Sequence, residues 1–181
     1  MEIRALSNNC FRLRGKEAIL LLGTSPKKVE ADIIVGSNQL KNDKIVARKR
    51  GEPFLVPGPG EYEISGVEIW DGEKGCWLIQ MDNLKICYLA DGWRMPSDKK
   101  IESLGQIDLL LLVLGVGKEG TKEAAEVVKK VSPLLVVVSE LEAKDFLDAL
   151  DQEDLQPEDK LLIKPADLPE ETKVVVLRVK Q

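Results

Sequence analysis

A glycine-rich run in the second half of the 181-residue sequence is the first candidate for chemistry. Gly115-Val116-Gly117-Lys118-Glu119-Gly120 is a GxGxxG pattern that follows a run of leucines, and Glu140 lies at the spacing of a ribose-binding acid. In dinucleotide-binding domains such glycines admit a pyrophosphate to a helix N-terminus. The pattern begins late, however, and too little chain follows it for the usual five- or six-stranded parallel sheet. Nucleotide binding by Gly115–Gly120 is therefore an alternative and not the main prediction.

The residue types that most often carry catalysis are scarce in this sequence. It contains no histidine, which excludes Ser-His-Asp and Cys-His nucleophile systems and any zinc site built on imidazole. The three cysteines, Cys10, Cys76 and Cys87, are widely spaced and form no CxxC pair, so they do not supply a zinc site either. Unpaired, scattered cysteines are typical of a reducing compartment, and we expect a cytoplasmic protein.

The charge distribution argues against nucleic acid and membranes as partners. The net charge is −5, and residues 140–173 carry twelve acids against four lysines. An acidic chain binds nucleic acid poorly because that affinity comes mainly from neutralising phosphates. The basic cluster within residues 41–50 has no interleaved aromatic residues for base stacking. The longest apolar runs, 109–114 and 134–138, are far too short to span a bilayer, and the segment Met1–Arg4 does not resemble a signal peptide.

The elements that must position any site differ between the two halves of the chain. The first half favours short strands joined by tight turns, and the second half alternates buried strands with amphipathic helices. The predicted helices run from a capping Thr121 to Val131 and over Ala143–Leu150. This pattern predicts a single α/β layered domain over residues 1–181. The predicted strands are Ile3–Leu6, Cys10–Leu13, Ala18–Leu22, Ala31–Val35, Phe54–Val56, Cys76–Met81, Lys85–Leu89, Asp108–Leu114, Leu134–Val138, Lys160–Ile163 and Lys173–Val179.

Four segments in order along the chain resemble the metallo-β-lactamase-fold hydrolases, in particular the small prokaryotic branch related to L-ascorbate-6-phosphate lactonase. They are Ala5–Leu13, the run Pro57-Gly58-Pro59-Gly60-Glu61-Tyr62-Glu63-Ile64-Ser65-Gly66-Val67, Leu84–Asp91, and the C-terminal stretch from Asp159 to Val174. The resemblance implies an αββα four-layer sandwich. It also implies that the Gly115–Gly120 turn needs no nucleotide.

The same resemblance implies a metal site that this sequence has largely lost. The family holds one or two metal ions with histidines and aspartates at strand ends, and the metal turns a bound water into a nucleophile. Leu40 offers no lone pair at one ligand position, and Asp91 alone keeps the family's residue. The family's loop after the Gly66–Ile69 strand is replaced by Trp70–Gly75. The positions that match family ligands are Asn8, Asn38, Leu40, Asn42, Asp43, Asp91 and Glu140.

The resulting hypothesis is a non-catalytic family member, retained for binding or scaffolding through a protein partner or self-association. It has no catalytic or cofactor-binding residue and no metal. Trp70, Trp77 and Trp93 would either fill the space that the ligands vacated, which we favour, or form an apolar contact surface. One alternative is a hydrolase with a carboxylate-only Mg²⁺, Mn²⁺ or Ca²⁺ site at Asp43, Asp91 and Glu140, since these ions prefer oxygen ligands. The other is the nucleotide-binding module already described.

Overall fold

The computed structural model describes residues 1–36, 45–47 and 52–179, with the backbone alone at 45–47, 71 and 73. The strands are β1 (Glu2–Ser7), β2 (Cys10–Arg14), β3 (Ile19–Leu22), β4 (Val29–Ala31), β5 (Ile33–Val35), β6 (Ile45–Ala47), β7 (Phe54–Leu55), β8 (Gly60–Ile64), β9 (Val67–Asp71), β10 (Cys76–Met81), β11 (Leu84–Leu89), β12 (Leu109–Leu112), β13 (Leu135–Ser139), β14 (Leu161–Leu162) and β15 (Lys173–Leu177). The helices are α1 (Asp98–Leu104), α2 (Gly117–Val131) and α3 (Ala143–Ala149), and short 3-10 turns occupy Glu73–Gly75 and Pro165–Asp167.

Two mixed sheets form the body of the molecule. One has six strands in the order β14-β1-β2-β3-β5-β7, and the other has seven in the order β15-β13-β12-β11-β10-β9-β8. The largest apolar cluster joins both sheets, and it includes Phe11 and Leu22 from the first and Ile79 and Leu111 from the second. The sheets therefore pack face to face, and the predicted α/β fold class is confirmed.

The outer faces of the two sheets are covered differently. Helices α2 and α3 bury Ala124, Val128 and Phe146 against the seven-stranded sheet. Over the six-stranded sheet, the described cover is the small β4–β6 pair, whose Ala31 packs with Leu21. The described part of the chain thus has a helical layer on one side of the sandwich and a strand pair on the other.

The prediction of one strand over residues 31–35 is wrong. The segment belongs to β4 and β5, which lie in different sheets. Asp32 separates them: its carboxylate accepts a hydrogen bond from the Ile19 amide at 2.8 Å, and its own amide donates to the Ile19 carbonyl at 2.8 Å. Apolar periodicity does not register this break, because the residues on both sides of Asp32 are buried.

Two helices differ from the prediction, one in where it begins and the other in that it was not predicted. Helix α2 begins at Gly117, so Thr121 lies within it, and the Thr121 hydroxyl donates to the Gly117 and Lys118 carbonyls. Helix α1 was not predicted, although Ser97 caps it by accepting from the Lys100 amide at 3.3 Å. A serine cap before a seven-residue helix is a weak signal by itself. Among the described residues, no helix is long and apolar enough to cross a membrane.

Candidate functional site

A cleft of about 420 Å³ opens where the strands of the seven-stranded sheet end. The turn between β1 and β2 supplies Asn9, the segment after β11 supplies Asp91, and the β9–β10 connection supplies Lys74. These residues lie close together because the end of β11 pairs with the start of β10, where Trp77 is opposite Tyr88. The complete described lining is Asn9, Gly23, Thr24, Gly36, Val56, Pro57, Gly58, Pro59, Gly72, Lys74, Gly75, Trp77, Ala90, Asp91 and Gly92.

Asp91 lies at the rim of this cleft as a hydrogen-bond acceptor. Its Oδ2 accepts from Asn9 Nδ2 at 3.4 Å, and Asn9 Oδ1 in turn accepts from Ser7 Oγ at 2.9 Å. The side chain of Asp91 is exposed to solvent. The Asn9 amide therefore faces the cleft next to Asp91, one position beyond the Asn8 that the family resemblance indicated.

Asn8 and Glu140 reach the same edge of the sheet but do not line the cleft. The Asn8 carbonyl accepts a hydrogen bond from Ser139 Oγ at 3.4 Å, which ties the first turn to the end of β13. Glu140 Oε1 accepts from the Val179 amide at 2.9 Å, so its carboxylate serves the C-terminal segment. Asn38, Leu40, Asn42 and Asp43 lie outside the described residues.

The described residues do not fit the metal centre that the family resemblance implies. Within residues 1–36 and 52–179, no three His, Cys, Asp or Glu side chains are grouped where they could hold a metal ion. Asp91 has an amide neighbour in place of an imidazole, and Glu140 is engaged with the backbone. Since the full sequence has no histidine, the neutral nitrogen ligands of such a centre are missing from this chain.

Two aromatic residues that the sequence did not single out as a pair lie at the cleft: Trp77 lines it, and Tyr88 is fully buried behind the lining. A Cβ placed on Gly36 would lie 3.2 Å from Tyr88 Cε1 and 3.5 Å from Trp77 Nε1, so the chain passes close above both rings. The Tyr88 hydroxyl is buried with no hydrogen-bond partner in the described structure. Burial raises the pKa of Tyr88 above its ordinary value, and Cys10 and Asp91 add to the effect. A tyrosine inside the mostly apolar strand β11 is the signal that could have indicated this position.

Residues 2–138 of the sequence match the family model described as the beta-lactamase superfamily domain. The chain belongs to the metallo-β-lactamase superfamily. Among curated proteins, none matches the chain.

Several solved structures are similar to this superfamily member throughout their length. A protein of Thermotoga maritima assigned as a Zn-dependent hydrolase of the metallo-beta-lactamase superfamily has a TM-score of 0.78 and 24% identity, with 99% of this chain and 100% of that chain covered. A protein of Parabacteroides distasonis assigned as a metal-dependent hydrolase has a TM-score of 0.57 and 14% identity, with 97% of this chain and 92% of that chain covered. An isothiocyanate hydrolase from Delia radicum gut bacteria has a TM-score of 0.54 and 12% identity, with 91% of this chain and 99% of that chain covered. At these identities the likeness shows the fold alone.

The three tryptophans of this superfamily member occupy different places. Trp77 lines the cleft, and its six-membered ring lies against Gly72. Trp93 lies beside a separate small cavity and donates from Nε1 to the Val113 carbonyl at 2.9 Å. Trp70 packs on the outer, helix-covered side of the seven-stranded sheet. Of the three tryptophans, Trp77 is the one that lines the cleft.

The GxGxxG turn of this superfamily member has a structural reason for its glycines. A Cβ on Gly120 would lie 2.7 Å from Gly115 Cα, and one on Gly115 would lie 2.9 Å from Gly120 Cα. The cavity beside the turn is about 80 Å³, well below the about 300–1,000 Å³ typical of small-molecule sites. Close packing of the strand end against α2 therefore accounts for both glycines, and nucleotide binding stays an untested alternative.

Proposed function

We propose that this protein is a non-catalytic member of the metallo-β-lactamase superfamily that binds a partner instead of hydrolysing a substrate. The observation that carries the proposal is the set of groups at the strand ends. Asp91 is bonded to Asn9, Glu140 is bonded to the Val179 amide, and no histidine is available anywhere in the chain. A metal-activated water needs a metal held in fixed geometry, and these residues do not supply it. The fold by itself does not carry the activity.

The retained cleft supports a binding role. Its volume of about 420 Å³ lies within the about 300–1,000 Å³ of ordinary ligand sites. A carboxylate at Asp91, an amide at Asn9 and an ammonium group at Lys74 stand around an indole at Trp77. Such a mixture of polar and aromatic groups suits a polar peptide segment, so we infer that the occupant is a loop of a protein partner or of a second copy of this chain.

A cytoplasmic location is part of the same proposal. Cys10, Cys76 and Cys87 are all free and all buried, so the described structure uses no disulfide. A protein of this size can bury enough apolar surface to fold without covalent links. Free thiols in a folded chain are typical of a reducing compartment.

The competing function is hydrolysis with an oxygen-only metal site, as the assignments of the similar solved structures suggest. Such a site would use Asp43, Asp91 and Glu140 with Mg²⁺, Mn²⁺ or Ca²⁺. The Glu140 carboxylate accepts a hydrogen bond from the Val179 amide at 2.9 Å, which orients it toward the C-terminal segment. That bond favours the non-catalytic proposal over the oxygen-only site.

The metal content of untagged, mildly purified protein tests the proposal. We expect substoichiometric metal by plasma mass spectrometry and no melting shift on addition of Mg²⁺, Mn²⁺, Ca²⁺ or Zn²⁺. Near-stoichiometric metal that is lost in Asp91→Ala, and kept in the exposed control Asp154→Ala, would overturn it in favour of the oxygen-only hydrolase. Any saturable, metal-dependent hydrolysis that Asp91→Ala abolishes would overturn it as well.

Light scattering over a concentration series distinguishes the two kinds of partner. If a second copy occupies the cleft, the mass should rise with concentration in the wild type and stay monomeric in Lys74→Glu. Lys164→Glu, an exposed lysine far from the cleft, is the matched control and should behave like the wild type. A constant monomer mass would assign the cleft to a different protein.

A further inference from the structure

A second cavity, of about 300 Å³, lies on the helix-covered side of the seven-stranded sheet and is strongly basic. It lies between the start of β10 and the segment that leads into α1. No acidic side chain is among its described lining residues, and a cavity walled by one sign of charge concentrates ligands of the opposite sign. The cations that line it are Lys74, Arg94, Lys99 and Lys100.

The wall of this basic cavity carries a thiol. Cys76, the first residue of β10, lines the cavity although only 4% of the residue is exposed. Its Sγ lies 3.9 Å from Cys87 Sγ on β11. The strand register pairs Cys76 with Leu89 and Leu78 with Cys87, so the two cysteines are diagonal neighbours on one face of the hairpin.

The two thiols differ in their surroundings. The hydrogen bond between the two thiols lowers the pKa of Cys76, against the opposing effect of burial, while the same bond and burial raise the pKa of Cys87. Cys10, fully buried in the other sheet, has its pKa raised to about 12 by burial. A thiolate is the nucleophilic form of cysteine, and nearby cations favour it. Cys76 is therefore the thiol of this chain whose surroundings favour reaction.

We propose that Cys76 is a modification site at which small anionic disulfides attach to the protein through the basic cavity. The Cys76 thiolate attacks one sulfur of the disulfide, a new S–S bond forms to Cys76, and the original S–S bond breaks. The other half leaves as a thiolate and takes a proton from water. Cys87 stays reduced and acts as a positioning residue through its hydrogen bond to Cys76. Lys74 lines both this cavity and the cleft, but Cys76 faces the helices, so the proposal does not rest on the proposed function.

Three disulfides of different charge test the proposal on the folded, untagged protein. The probes are oxidised glutathione, which is anionic, 2-hydroxyethyl disulfide, which is neutral, and cystamine, which is cationic. Peptide mapping by mass spectrometry should place the adduct on Cys76, with glutathione disulfide reacting faster than cystamine by on the order of tenfold at low salt. Adducts on Cys10, equal rates for the three probes, or modification in urea only would overturn the proposal.

Charge reversal provides the matched comparison. Arg94→Glu with Lys99→Glu should invert the order of the three probes, whereas Lys28→Glu with Lys173→Glu, which makes the same change at exposed sites away from the cavity, should preserve it. Lys99→Ala alone should reduce the rate difference between glutathione disulfide and cystamine. This single variant provides a test if the double variant misfolds. An order that the reversal leaves unchanged would overturn the role of the cavity.

The part of Cys87 is tested by two substitutions. Cys87→Ala removes the hydrogen-bond donor and should slow thiolation of Cys76 severalfold, while Cys87→Ser keeps a donor and should restore most of the rate. A merely structural effect would slow both variants alike and would contradict the positioning role. Formation of a Cys76–Cys87 disulfide in the wild type, in place of the mixed disulfide, would overturn the proposal.

Discussion

At the residue scale, the alternation of side chains along the β10–β11 hairpin separates two sites. Successive residues of a strand face opposite sides of the sheet. Trp77 and Tyr88 accordingly face the inner core, where Trp77 also lines the cleft, whereas Cys76 and Cys87 face the helices, where Cys76 also lines the basic cavity. One hairpin thus supplies Trp77 to the candidate binding cleft and the thiol pair to the candidate modification site.

Tyr88→Phe is expected to leave the free energy of unfolding unchanged or to raise it. The hydroxyl that it removes is buried without a partner among the described residues, and such a group costs about 1–3 kcal/mol. Tyr62→Phe is the control, because its hydroxyl donates to the Gly58 carbonyl at 2.9 Å and its loss should cost about 0.5–1.5 kcal/mol. Urea denaturation measures both. Equal losses in the two variants would contradict the prediction and indicate a partner for Tyr88.

At the element scale, turns and helix starts decide which strand ends meet. The β10–β11 turn places Asp82 and Asn83 at φ values of 52° and 62°, which suits a tight two-residue hairpin. A turn of this kind depends on the preferences of the residues within it. The close contact between Gly115 and Gly120 is different in kind, because it joins the end of β12 to the first turn of α2 and is fixed by packing.

Gly120→Ala is expected to destabilise the protein by about 1–3 kcal/mol, since its Cβ would lie 2.7 Å from the Gly115 backbone and overpacking costs about that much. Gly58→Ala is the control, because a Cβ there would meet nothing within 4 Å. Thermal or urea unfolding measures the difference.

A titration with NAD(H), NADP(H) and ATP should show no binding in the wild type. Binding that Gly115→Ala abolishes would favour the nucleotide alternative instead.

At the scale of the whole molecule, the N-terminal strand is held by residues from the far end of the chain. Strand β1 pairs with β14, and the terminal amine donates to the Ile163 carbonyl at 2.8 Å. Glu2 adds an ionic link, since it bonds to Arg4 at 2.9 Å and lies 3.4 Å from Lys160. These contacts close the six-stranded sheet between segments about 160 residues apart.

Glu2→Gln should reduce the loss of unfolding free energy that the protein shows as the pH falls into the acid range. The hydrogen bond from Arg4 lowers the pKa of Glu2 below 4.5. The stabilisation that ionised Glu2 provides is therefore present above pH 4.5 and is lost as the pH falls through the lowered pKa. The effect should stay below about 1 kcal/mol, as for most surface pairs. Unfolding free energies at neutral pH and at acidic pH measure it, with exposed Glu153→Gln as the control. An identical acid loss in wild type and Glu2→Gln would contradict the prediction.

The sequence was sufficient for the type and order of most elements. Strands such as Cys76–Met81 have the predicted limits, because apolar runs bounded by turn residues depend on local chemistry. The sequence alone also excluded imidazole-based zinc chemistry, since a chain without histidine cannot supply that ligand in any fold. The pattern of strands and helices predicted the α/β class, and the resemblance to the superfamily, confirmed by the family model, implied the sandwich architecture.

Only the tertiary structure decided which side chains meet. The engagement of Glu140 by Val179, the Asn9–Asp91 contact and the proximity of Cys76 to Cys87 join residues between 11 and 82 positions apart. The split of residues 31–35 between two sheets is of the same kind. Periodicity reports which face of an element is buried, but not what it is buried against. The physical reason is that strand order and sheet packing are set by the joint burial of many residues distant in sequence.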